Sequence, residues 1–361
     1  MNIYLLSIAL TLTGLTNPVA LPDSTRTDSL RQDKTRFMLL PIIFSSPDTR
    51  LAFGVLPQIV FRTSSSSNPS SIRLDSYYTQ NKQYHILLRP SFWLSNNSKQ
   101  LSAKFSFKKW PTSFYGIGNN TSADGQEKFT ETLYEASLEG NKHIGSNYYA
   151  GASYSFRHGN IIPFEETGSL STAELKGKGE TLISAVGMVL KRDTRDNHFY
   201  PQDGSYHTLE IYSSVKLLGS DFSFTRFSLD LRRYFPIHAS HVLALQGVLS
   251  VAAGHLPFRM LSSVGSTLRG YSTVRYIDRN LAAFQAEYRM APLFGRFGFA
   301  GFAGVGDVFN QAGDLRLNKL KFSAGIGIRY LFSRSEKINI RLDYGIGKDS
   351  SGDYIDLNEA F

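Results

Sequence analysis

From Phe37 onward the chain alternates between apolar and polar residues in long runs. Between Lys337 and Lys348, Ile338, Ile340, Leu342, Tyr344 and Ile346 are separated by Asn339, Arg341, Asp343 and Gly345. Between Asn280 and Met290, Ala282, Phe284, Ala286, Tyr288 and Met290 face one way, and Gln285, Glu287 and Arg289 the other. The stretch Lys319 to Phe332 sets Leu320, Phe322, Ala324, Ile326, Ile328 and Tyr330 against Lys321, Ser323, Gly325, Gly327 and Arg329. Segments at Ile72 to Tyr78, Leu101 to Lys109 and Thr208 to Lys216 repeat the pattern. A period of two puts the apolar set on one side of an extended chain, whereas helical spacing would scatter it. Many runs reach about ten residues, longer than the five or six usual in soluble sheets. Strands this long, each with one apolar and one charged face, fit a barrel with lipid outside and water inside better than a soluble sandwich.

Counting runs between turn signals gives about sixteen strands from Phe37 to Phe361, an even number as single-chain bacterial barrels require. Short turns at Asn81-Lys82 and Ser95-Asn96-Asn97 alternate loosely with longer polar stretches near Pro111 to Gln126, His158 to Lys178 and Ala253 to Arg279. That asymmetry predicts periplasmic turns and extracellular loops. Composition agrees. The chain has 26 Phe, 19 Tyr and 30 Gly, suited to aromatic girdles and tight turns, while 19% charged residues are too many for a helical membrane protein. No run of 18 apolar residues occurs after the N-terminus, so insertion must be by strands.

Residues 1–20 read as a signal peptide: an apolar stretch from Ile3 to Leu15, then Asn17-Pro18-Val19-Ala20 with a small residue for cleavage, though without the usual basic start. Residues 21–36 are polar and aperiodic, a flexible periplasmic leader. Residues 37–361 form the barrel domain. The absence of cysteine removes disulfides and thiolate metal sites. The net charge of +9 is spread over singly placed basic residues, which argues against nucleic acid and for a polar lumen or an anionic membrane surface. Eight scattered His residues and the absence of HExxH, GxSxG or P-loop patterns predict no enzyme, no cofactor and no metal.

Two motifs carry more. The segment from Lys191 to Tyr206 holds Asp193-Thr194-Arg195-Asp196, then Tyr200-Pro201 and Gly204. Taken alone it reads as a polar turn satisfied by local side-chain to backbone hydrogen bonds. It also resembles the turn of the BamA/TamA superfamily of outer-membrane assembly and secretion barrels, the bacterial surface antigens, in which such a run precedes a barrel strand. Downstream, Arg269-Gly270-Tyr271 resembles that superfamily's Arg-Gly-aromatic tripeptide, at the tip of a long extracellular loop folded into the lumen. It falls between the eleventh and twelfth expected strands, where the family has it. The chain given ends in Phe361, as many outer-membrane barrels do.

Two departures qualify the resemblance. The short leader has no room for the periplasmic POTRA domains that family members usually carry. The family's thirteenth strand tends to carry Phe-x-Asp, and here Phe302 is followed by Gly304 where the acid should be. Glu287 on the preceding strand then becomes the expected partner of Arg269, the alternative being several acceptors and no single acid. Gly298, Ala300, Gly304 and Gly306 share the lumen face with Phe302, either to relieve curvature or to make room for the loop.

The expected fold is thus an all-β, closed antiparallel transmembrane barrel of about sixteen strands with an inward-folded extracellular loop. The resemblance implies a cell outer-membrane location in a diderm bacterium and a role in outer-membrane protein insertion or polypeptide translocation through a lateral gate. Implied partners are outer-membrane lipids and lipopolysaccharide, client outer-membrane or secreted polypeptides, and a POTRA-bearing partner in trans. The competing class is a passive channel or structural surface antigen. Ile355, Leu357 and Phe361 are expected to share a lipid-facing side of the last strand, with Phe361 as its C-terminal assembly signal.

Overall fold

The computed structural model describes residues 35–46, 50–122, 124–164, 170, 175–238, 241–334 and 336–361. The expected signal peptide and nearly all of the leader lie outside the described residues. The first eight strands are β1 (Arg36–Ser46), β2 (Arg50–Phe61), β3 (Ser70–Thr79), β4 (Tyr84–Leu94), β5 (Lys99–Phe114), β6 (Glu127–Gly145), β7 (Tyr148–Pro163) and β8 (Glu180–Asp193). They continue as β9 (Gly204–Ser214), β10 (Phe224–His238) and β11 (His241–Gly254). A two-stranded ribbon, β12 (Ser262–Ser263) with β13 (Ile277–Asp278), lies inside the long connection that follows. The wall resumes with β14 (Asn280–Phe294), β15 (Phe297–Phe309), β16 (Lys321–Ser333), β17 (Ile338–Gly347) and β18 (Ser350–Leu357).

Sixteen of these strands form one antiparallel sheet in chain order from β1 to β18, curled into a nearly closed barrel. The alternation sorts the faces as expected. Met188, Ile326, Phe322 and Phe37 point outward at 65 to 78% exposure, while Glu287, Arg289 and Asp343 point inward at 0%. One end carries the short connections 95–98, 146–147 and 295–296; the other carries 115–126, 164–179, 215–223, 255–279 and 310–320. The Asn81-Lys82 turn sits at this second, loop end, a correction to its expected place among the periplasmic turns. Two residues with left-handed or turn backbone suffice for a hairpin at either end, so turn length alone does not assign an end.

The two edges of the sheet are not joined by backbone pairing among the described residues. Instead they overlap. Met38, Leu40 and Ile42 lie on the side of β1 that the ladders align with Gln58 and, through it, with Arg73, whose partner Asp356 is in the lumen. Ile355 and Leu357 alternate with Asp356 and so lie on the opposite, outward side of β18, opposite Leu342 and Ile340. Yet both groups share one apolar cluster with Leu56 and Val60, and Leu357 is only 2% exposed. The inner face of β1 and β2 therefore covers the outer face of β17 and β18, an apolar seam without a ladder.

Phe361 is not lipid-facing, which corrects the expectation. Asn358 adopts φ +69 and its N–H bonds to the Asn339 carbonyl, which ends the alternation and turns the chain inward. Phe361 then packs across the lumen on Tyr234, Val242 and Ala244 of β10 and β11, and Arg289 Nη2 donates to its carbonyl at 2.8 Å.

Candidate functional site in the lumen

The connection 255–279 folds into the barrel. The ribbon shapes its base, and Gly118 N–H bonds to the Ile277 carbonyl, tying the neighbouring connection 115–126 to it. At its tip, Val264, Leu268, Tyr271 and Tyr276 pack on Leu281, Ala283 and Val308 of β14 and β15. Apolar burial thus seats the loop and delivers Arg269 to the wall at 7% exposure.

A buried guanidinium is costly unless carboxylates and hydrogen bonds replace its water. Arg269 Nη2 donates to Glu287 Oε2 at 2.5 Å, and Nη1 to Asp343 Oδ2 at 2.5 Å. Its Cζ stands 3.5 Å from the centroid of the Phe302 ring, a close cation–π contact. Each acid is shared. Glu287 also accepts from Arg289 Nε at 2.7 Å and Arg329 Nη2 at 3.4 Å; Asp343 also accepts from Arg329 Nη1 at 2.5 Å and Arg341 Nη1 at 2.7 Å. Glu359 completes the lattice through Arg329 Nε at 2.8 Å.

The structure therefore brings together Arg269, Glu287 and Phe302 from the sequence-derived set, and adds Asp343, Arg289, Arg329, Arg341 and Glu359. Asp343 was visible on the polar face of its strand, as Arg341-x-Asp343, but its neighbour across the barrel is a matter of register. Gly304 lies beside the loop, where an added Cβ would stand 2.7 Å from Leu268. Space for the loop is thus one reason for that glycine.

The rest of the tripeptide is held as tightly. Gly270 has φ +98 and its N–H donates to the Tyr354 hydroxyl at 2.8 Å. Tyr271 Oη donates to the Phe322 carbonyl at 2.6 Å and accepts from Lys348 N–H at 2.9 Å. Gly347 permits that seat, since a Cβ there would stand 2.5 Å from the Tyr271 ring.

The turn 194–203 satisfies itself locally. Asp193 takes two bonds from the Arg195 guanidinium, at 2.9 and 2.7 Å, and Arg195 lies over the Tyr206 ring at 4.2 Å. Asp196 Oδ1 accepts the N–H groups of Gln202 and Asp203. Gly204 has φ +98, and its missing side chain leaves room for the Thr194 carbonyl. Tyr200 and Pro201 are buried. The turn also reaches across the mouth: Asn197 Nδ2 donates to the Glu336 carbonyl, Lys337 Nζ to Gln202 Oε1 at 2.6 Å, and Phe199 packs on the seam cluster. Burial, then the Arg195 charge, lowers the His198 imidazole to about 4, where it sits tilted against Trp93. With the inward segment 358–361, this turn narrows the turn end of the lumen.

A sixteen-stranded barrel with an unladdered seam and an arginine-bearing loop locked inside defines a class of membrane-type barrels. The chain belongs to the Omp85 superfamily, whose domain matches residues 68–358. Solved structures agree in fold. BamA of Haemophilus ducreyi lacking POTRA domains 1–3 is similar with a TM-score of 0.53 at 14% identity, covering 90% of this chain and 68% of that one. CdiB of Acinetobacter baumannii gives 0.55 at 10% identity, covering 92% and 66%. CdiB of Escherichia coli gives 0.57 at 9% identity, covering 90% and 61%. The chain thus spans about two thirds or less of these CdiB chains. No curated protein matches the sequence.

Proposed function

We propose that this barrel resides in the outer membrane with its turn end toward the periplasm, and inserts or translocates client polypeptides there. The observation that carries the reading is the seam. The edges of β1 and β18, not laddered to each other among the described residues, are a template for an incoming strand, and the apolar overlap between them can part without breaking a ladder. The client's own backbone pairing and burial in the bilayer supply the energy. Family membership supports the same reading, and a POTRA-bearing partner in trans would deliver clients to the turn end. The narrowed turn end disfavours a passive channel.

The test uses purified barrel in liposomes of outer-membrane lipids. Faster folding of a second, urea-unfolded barrel than in protein-free liposomes, with slow release of an entrapped small solute, is the expected result. Rapid solute release without faster folding would establish the passive channel instead.

A further inference from the structure

Away from the Arg269 lattice, on the side of the lumen walled by β5 to β11, a chamber of about 790 Å³ lies beneath the loop. Its charge is lopsided. Lys104, Lys108, Arg157, Lys191, Arg226 and Arg232 reach it from the wall and Arg259 from the loop. The lining acids are Glu139, Glu210 and Asp230. Glu131 and Glu135 share the lumen face of β6 with Glu139 and pair with Arg259, Lys108, Arg157 and Lys104. Seven cations therefore face five carboxylates.

The surplus of two falls in the group Lys104, Lys108, Arg157 and Arg259, which shares Glu131 and Glu135, while Glu210 accepts from Ser153 Oγ at 2.8 Å and has no cation within ion-pair distance among the described residues. Lys191 is paired with Glu139, and Arg232 with Asp230 at 2.6 Å. Arg226, 9% exposed, has no carboxylate within ion-pair distance among the described residues. Its guanidinium donates to neutral oxygens, Ser250 Oγ at 3.2 Å, Ser262 Oγ at 2.9 Å and the Met260 carbonyl, and also meets the Tyr212 hydroxyl. Its Nε has no partner. A nearly buried cation with no carboxylate in ion-pair distance is costly, and an anion entering the chamber offsets that cost. Thr267 and Thr273 add neutral hydroxyls to the same lining, whereas the hydroxyls of Ser263 and Ser266 donate to the carbonyls of Arg275 and Ser263. Guanidinium with surrounding hydroxyls is the donor set that suits tetrahedral oxyanions.

We propose that this chamber is an oxyanion site that takes the phosphate group of inorganic phosphate or of a small soluble phosphomonoester, with Arg226 as its principal contact. The proposal does not depend on the polypeptide reading, because a ligand here lies away from the seam.

The experiment titrates purified full-length barrel in detergent with inorganic phosphate, glycerol 3-phosphate or glycerol, at constant ionic strength set by chloride, and reads heat of binding. Saturable binding of both phosphates and none of glycerol is expected; tighter binding of glycerol 3-phosphate identifies the phosphomonoester as the preferred form, tighter binding of inorganic phosphate the free ion. Arg226→Gln should weaken binding at least tenfold, and Arg226→Lys less. If Arg226→Gln yields no folded barrel, the Lys104→Gln/Arg232→Gln double variant should weaken binding severalfold, with Arg316→Gln in the 310–320 connection as the unaffected control. No saturable heat with either phosphate, or equal affinity in the folded chamber variants, overturns the proposal.

Discussion

Asp343 on β17 meets Arg269 at 2.5 Å, from the opposite side of the guanidinium's fork to Glu287. The acid absent at Gly304 on the thirteenth barrel strand is thus supplied from the fifteenth. Asp343→Asn should cost on the order of 3–5 kcal/mol, because it leaves Arg269, Arg329 and Arg341 sharing one acid fewer in a dry site. Adding Gly304→Asp should not rescue it, since a Cβ at 304 would stand 2.7 Å from Leu268 Cδ2 and 3.0 Å from Gln285 Cβ, in the packed base of the loop. Thermal unfolding of the folded band on unboiled gels measures both. Rescue by Gly304→Asp would mean that the loop can shift to the other register.

Glu287 faces three guanidinium groups, so Glu287→Ala should destabilise more than Arg269→Ala. The double change should cost less than the sum, as one stranded charge is removed with the other. Lys at 269 should restore only part, because an ammonium cannot bridge two acids as a planar fork does. Protease cleavage near Tyr271 reports loop release across this cycle. Simple additivity would show that the pair is not coupled.

Much of this was legible in the sequence, and the reason is solvent. A wall between lipid and water imposes period-two alternation on most strands, β1 and β2 with their two apolar faces excepted, so strand identity, facing and the lumen side of Glu287 and Phe302 could be read directly. Neighbours across the barrel could not. Asp343 pairs with Arg269 only once the loop and four strands are in register, and nothing local in Arg341-x-Asp343 announces it. Phe361 misleads because alternation is assumed to persist past Leu357, whereas Asn358 breaks it. The covered Leu357 shows the same limit: alternation gives the side of a sheet, not what lies over it.

The inward placement of Phe361 can be checked cleanly because the chain has no cysteine. A nitroxide on Phe361→Cys should be poorly accessible to membrane-dissolved oxygen, whereas one on Met188→Cys, at 78% exposure on the outer wall, should be highly accessible. Equal accessibility would return Phe361 to the lipid face.

The turn 194–203 should respond to acid. The folded His198 takes a proton only near pH 4, against 6.5 when unfolded, so below pH 6.5 the unfolded state binds protons first. Its stabilising contribution is full above pH 6.5 and declines toward pH 4. His198→Gln should flatten the dependence of thermal stability on pH in that window. An unchanged slope would place the sensitivity elsewhere.

The central claim is that the unladdered seam opens for clients. A disulfide between Leu40→Cys and Leu357→Cys, residues of one seam cluster, would fasten it; one between Ala52→Cys and Thr79→Cys, paired across β2 and β3, serves as control. In the liposome assay the oxidised seam pair should lose the acceleration of client folding and regain it on reduction, while the control pair keeps it throughout. Full acceleration with the seam fastened would contradict the account.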